Sequence, residues 1–225
     1  MQRAKLCLAA ACLLATASTR LAAQGFDGVI QFVSYRDHSD QPDTMTQMTK
    51  GSKIRIDGMG RGDAAGAMIM NGPKRIILMT DKKQYFEMPA EMGSRETKPV
   101  KQKGTAEKTG KTEKVAGITC DVWHYKGVDG SGNPEEGEAC VAKGAGLMVN
   151  RLSGGAMSRF YTLGGQAFSD ALMNDAGVLK VTKNGKVTLE AVRAQATSVP
   201  DAMFAPPPDY TPLDMSQMGR PPRKP

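Results

Sequence analysis

Two β-favouring runs that each carry one cysteine constrain this chain more than any other feature. The first is Gly117-Ile118-Thr119-Cys120-Asp121-Val122-Trp123-His124-Tyr125 and the second is Gly137-Glu138-Ala139-Cys140-Val141-Ala142, with a glycine-rich crossing between them. The other two cysteines, Cys7 and Cys12, fall within the first two dozen residues. That opening has Arg3 and Lys5, an uncharged run from Leu6 to Thr19, and small residues at Ala22 and Ala23, which is the order of a secretion signal. The run is shorter than the roughly 20 apolar residues a membrane span needs, and Arg20 interrupts its continuation. Residues 1–23 are therefore read as a signal peptide, with cleavage after Ala17 as the competing site. A lipoprotein site at Cys12 would leave too little apolar chain to engage export.

Removing the signal leaves Cys120 and Cys140 as the only pair, and we read them as one disulfide across a two-stranded ribbon. Opposed residues of antiparallel strands have Cα atoms about 4.5 to 5.5 Å apart, inside the range a disulfide bridges. The closed loop of about twenty residues gives a crosslink worth roughly 3 kcal/mol. A redox-active pair would more typically be Cys-x-x-Cys, and a zinc site would want two further ligands. The expected compartment is oxidising, periplasmic or secreted.

At 225 residues and 40 % apolar composition, one well-buried core and one domain are expected, spanning residues 24–210. The formal charge of +7 includes Arg3, Lys5 and Arg20, so it falls by three to +4 in the mature chain. This suits solubility and contact with an anionic membrane surface. No helix-turn-helix, zinc-finger or RNA-binding aromatic motif accompanies the charge, so no nucleic-acid partner is expected. The mature chain has no expected transmembrane span.

The strand signals begin with Phe26, Ile30 and Phe32 on one side of a run and Val29, Val33 and Tyr35 on the other, the mark of a strand covered on both faces. Asp37, His38, Asp40 and Asp43 around Pro42 are turn chemistry rather than a metal set, since no second histidine is near. Met45–Lys50 and the alternating Lys53-Ile54-Arg55-Ile56-Asp57 form a hairpin across Gly51-Ser52. Glycines 58, 60, 62 and 66 lack the lysine followed by serine or threonine of a phosphate cradle, and read as a loop. Residues 67–71, 75–80 and 84–88 continue as short strands too closely spaced for crossover helices, which argues for an antiparallel meander.

Residues 89–114 are lysine-rich and nearly free of apolar groups, and are read as a flexible basic connector. Beyond the cysteine ribbon the period changes: Met157, Phe160, Tyr161, Gly164, Ala167, Phe168, Ala171 and Leu172 recur at helical steps, predicting helix within 144–174. Asn184-Gly185 predicts a hairpin, with a bulge because a simple turn would set apolar against charged residues. Val199–Phe204 reads as a turn with one buried aromatic. Proline density predicts a disordered tail over 211–225.

The opening Phe26-x-Gly28-x-Ile30, the Ile54-Arg55-Ile56 strand, Tyr85-Phe86-Glu87-Met88, Val115-Ala116-Gly117-Ile118-Thr119-Cys120 and the closing Phe204 with its prolines and Tyr210 resemble the DUF4412 family of exported bacterial proteins. That family is similar to the LolA/LolB lipoprotein-carrier superfamily. The resemblance covers roughly Phe26 to Tyr210. It implies an α+β fold: a curved antiparallel β-sheet, an incomplete LolA-like barrel, with one or two helices on its concave face. In the carriers that concavity receives acyl chains. The lysine-rich stretch and Cys140 match no part of a carrier motif.

Fifteen methionines against six phenylalanines admit three readings: core filler, an adaptable greasy cavity, or soft ligands for Cu(I). The functional expectation is a non-enzymatic binding protein whose apolar groove takes an acyl chain, lipid or lipidated partner, lined by Phe32, Ile54, Ile56, Met68, Met70, Phe160 and Phe168. The alternative is an envelope protein-interaction or sensor module with a self-filled core. His38 and His124 sit in no catalytic motif. No cofactor and no metal are expected.

Overall fold

The computed structural model describes residues 26–35, 41–59, 66–88, 104–128, 133–143 and 176–213. Among these residues twelve strands follow one another: β1 (Gly28–Ser34), β2 (Asp43–Lys50), β3 (Lys53–Met59), β4 (Gly66–Asn71), β5 (Lys74–Met79), β6 (Gln84–Met88), β7 (Gly104–Val115), β8 (Ile118–Val128), β9 (Pro134–Lys143), β10 (Ala176–Lys183), β11 (Lys186–Ala196) and β12 (Thr211–Pro212). They form one sheet in the order β12-β6-β5-β4-β3-β2-β1-β11-β10-β9-β8-β7, open at both ends and not closed into a barrel. All pairings are antiparallel except the short β12, which runs parallel to β6.

The order is that of two meanders set back to back. β1 to β6 run outward in one direction, β7 to β11 run inward from the far end, and β1 pairs with β11 where they meet. Each neighbour within a meander is the next strand in sequence, and where only a few residues separate two strands, as between β2 and β3 or β10 and β11, short turn signals suffice to place them. Asn184 (φ 49°) and Gly185 (φ 77°) give the positive-φ pair that a two-residue hairpin demands. The expected bulge is present, shifting the register between Val181 and Thr182 and setting Lys180 opposite Glu190.

Strand alternation decides the two faces. On one face Ile30 and Phe32 of β1 continue into Ile54 and Ile56 of β3 and Met70 of β4, all buried. On the other, Ala67, Ile69, Ile76 and Leu78 form a second cluster with Val199 and Phe204. The segment after β11 lies over this second face as a strap, with its 3₁₀ turn at Asp201–Phe204. Phe204 is 2 % exposed. Arg55 donates to the Met203 carbonyl at 3.2 Å, and Lys50 and Lys53 grip Asp201 at 2.8 and 2.7 Å.

Three sequence expectations change. Residues 104–115, which by composition belong largely to the connector, are β7, the end strand of the sheet. Its polar composition suits an end strand, where lysines on the open edge discourage pairing with other chains. Thr211 and Leu213, inside the expected tail, donate backbone N–H groups to the Lys83 carbonyl at 3.0 Å and the Tyr85 carbonyl at 2.7 Å. The prolines around them remove donors without removing these two. Among the described residues there is no α-helix, so the sheet alone stands from the expected α+β architecture. The helical pattern at 144–174 lies outside the described residues.

Candidate functional site

The apolar face of β1 to β5 brings five of the sequence-predicted lining residues together. The β3–β4 register sets Ile54 opposite Met70 and Ile56 opposite Met68, and the β1–β2 register sets Phe32 opposite Met45. Phe32, Ile54, Ile56 and Met70 are buried, and Met68 is half-buried against the same cluster. Phe160 and Phe168 lie outside the described residues.

Sequence reasoning missed two members of this face. Gln47 faces Ile30 on one side and Ile56 on the other, and Thr49 faces Gly28 and Ile54. Both are 1 % exposed. Neither the Gln47 amide nor the Thr49 hydroxyl has a hydrogen-bond partner among the described residues. A signal for them existed: Gly51-Ser52 is a two-residue turn, so Lys50 pairs with Lys53, Thr49 with Ile54 and Gln47 with Ile56. The alternation in β3 then dictates that both polar groups enter the apolar face.

The far end of the sheet is built differently. Cys120 and Cys140 form the expected disulfide, with Cα atoms 5.4 Å apart and both residues 2 % exposed. The bridge runs diagonally, because the β8–β9 register sets Cys140 opposite Val122. Tyr125 lies opposite Gly137 and donates its hydroxyl to the Thr182 carbonyl on β10 at 2.8 Å. A side chain at Gly137 would collide with that carbonyl and crowd the tyrosine oxygen, so only glycine lets the ring cross. Burial, assisted by the charge of Glu135, pushes the Tyr125 phenol far above its ordinary value, so the hydroxyl stays a donor. Lys180 on β10 reaches Glu113 on β7 at 2.6 Å, and this hydrogen bond raises the lysine's affinity for its proton. Lys108 sits 5.4 Å from the centroid of the Trp123 ring and pairs with Asp121 at 2.8 Å.

His124 is half-buried opposite Glu107 and Glu138, and His38 lies outside the described residues. Among the described residues no group of three or more histidine, cysteine or acidic side chains is placed to hold a metal ion. No helix among them is long and apolar enough to cross a membrane.

Residues 26–210 match the family described as a domain of unknown function, DUF4412. The chain belongs to the DUF4412 family. The matched span runs from the strand-opening Phe26 to Tyr210 of the strap, so in this DUF4412 chain both meanders and the strap fall inside one family unit. No curated protein matches the chain. Among solved structures, an uncharacterized conserved protein from Thermus thermophilus is 12 % identical, with a TM-score of 0.43 over 83 % of this chain and 90 % of that one. A structure of PNGF-II is also 12 % identical, with a TM-score of 0.43 over 84 % of this chain and 31 % of that one. The similarity to the LolA and LolB carriers implied by the family resemblance is not confirmed by these comparisons.

Proposed function

We propose that this DUF4412 chain is an exported, non-enzymatic binding protein whose apolar face on β1 to β5 receives an alkyl or acyl chain, free or attached to a partner. The observation that carries this reading is the composition of that face. Phe32, Ile54 and Ile56 share it with Met45, Met68 and Met70. Unbranched thioethers adapt to apolar partners of different shape, which rigid β-branched packing does not. The disulfide supports export, because such bonds persist in oxidising compartments.

Purification from the native compartment followed by lipid extraction and mass spectrometry tests the proposal. A reproducible stoichiometric lipid, displaced by an apolar fluorescent dye, is the expected result. Repeated absence of lipid together with failure to bind the dye overturns it. One observation favours the alternative of an interaction module with a self-filled core: Ile30, Ile54 and Ile56 are each 0 % exposed. Capture of one stable envelope protein by lipid-free material would select that reading.

A further inference from the structure

Gln47 and Thr49 stand two residues apart along β2, on the apolar face, each 1 % exposed and without a hydrogen-bond partner among the described residues. Leaving an amide and a hydroxyl unpaired in an apolar interior costs stability, and native proteins pair nearly all such groups. Elsewhere this sheet does so: the buried Glu135 pairs with Lys183 at 2.8 Å, and the half-buried Thr109 and Thr188 donate to the Val122 and Val181 carbonyls at 2.9 and 3.3 Å. Among the described residues the unsatisfied pair is confined to the face that holds the methionines.

We infer that Gln47 and Thr49 are the polar anchor of that face and take an uncharged carbonyl group, amide in preference to ester, carried on an alkyl chain. The inference rests on the binding role proposed above and adds the chemistry of the ligand's head. A glutamine amide donates through Nε2 and accepts through Oε1, so it meets a ligand amide at both its carbonyl oxygen and its N–H; an ester offers only acceptors. The Thr49 hydroxyl supplies either role. The cross-strand neighbours of the pair are Gly28, Ile30, Ile54 and Ile56, none of them charged. Along the same row, Arg75 comes only after Ile54 and Met70. A carboxylate or phosphate head would be stripped of water there with no cation beside it among the described residues. Since both anchors are buried, ligand reaches them as the interior opens, and association is slower than for an open groove.

The experiment is competition against an apolar fluorescent dye by dodecanamide, methyl dodecanoate and dodecane, using the mature disulfide-bonded protein and the double variant Gln47→Leu/Thr49→Val. Wild type is expected to bind the amide most tightly, then the ester, with the amide favoured over the alkane by about ten-fold or more, the scale of one or two buried hydrogen bonds. In the variant the preference collapses to about two-fold or less. Its melting temperature rises, since unpaired polar groups have been replaced by apolar ones. Gln47→Met, closer in shape, carries the same comparison if the double variant does not fold. Equal affinities in wild type, or a preference that survives the substitutions, overturn the anchor while leaving the apolar face as a binding site. Failure of wild type to bind the dye and all three ligands removes both.

Discussion

The two ends of the sheet are held together by different means. At the β7–β10 end the strands are locked to one another by the Cys120–Cys140 disulfide, by Tyr125 reaching across Gly137 to Thr182, and by the Lys180–Glu113 ion pair. At the β2–β6 end no disulfide joins the strands among the described residues, and the Lys74–Glu87 pair between β5 and β6 is exposed and longer, at 3.5 Å. There a strap from the C-terminal side covers one face, and the other face holds two unsatisfied polar groups. A region locked by covalent and polar links is suited to be scaffold; one that tolerates unpaired groups in its interior is suited to be a site. On the binding role proposed above, scaffold and site fall at different ends of the sheet, although apolar residues of both ends belong to one core.

The strongest way to break this contrast is to remove the strap's anchor. Phe204→Ala is expected to cost about 3–5 kcal/mol, with amide-exchange protection lost first in β4 and β5; loss spread evenly over the sheet would mean the strap is not a local fastener. Replacing both Cys120 and Cys140 by serine is expected to cost roughly 3 kcal/mol, a melting-temperature fall of about 6–12 °C for a domain of this size. Protection should fall in β8 and β9 and hold in β3 and β4. Gln47→Leu runs opposite in sign, with a gain of about 1–3 kcal/mol in urea unfolding; a loss would show that the amide is satisfied in solution and the two ends are alike. Tyr125→Phe should cost about 1 kcal/mol, because the Thr182 carbonyl loses its donor.

The smallest effect concerns the strap's charged contact. Hydrogen bonds from Lys50 and Lys53 lower Asp201 from the ordinary 3.8 to about 2. A carboxylate depressed in the folded state stabilises the protein fully above its unfolded value, and that contribution is lost as pH falls through the folded value. The clamp should therefore hold above pH 3.8 and release between pH 3.8 and about 2. Asp201→Asn should flatten this part of the pH profile of strap protection while leaving β8 and β9 unaffected.

Most of the strand framework was legible because it is local. Ile54-Arg55-Ile56-Asp57 alternates without interruption, and Asn184-Gly185 permits little but a hairpin. The disulfide was legible by counting cysteines once Cys7 and Cys12, in the segment read as a secretion signal, were set aside. β7 was not, because its residues are those of a soluble linker and it becomes a strand only through a ladder with β8 that composition does not announce. Gln47 and Thr49 were overlooked for a related reason. Met45–Lys50 alternates threonine, glutamine and methionine with no hydrophobic contrast, so its inward face is dictated by β1 and β3 rather than by its own pattern.

The pairing of β1 with β11 also sets the order in which this protein can assemble. Gly28 meets Ala196, so a chain emerging from the N-terminus first presents a finished β1–β6 meander whose inner edge stays bare until nearly the whole polypeptide has arrived. During that interval β1, with Ile30 and Phe32 on its flank, is a template for stray strands of other molecules. On refolding of the whole chain the same long-range closure is slow, so yield should fall steeply with protein concentration, and a peptide copy of β11 supplied in trans should rescue it.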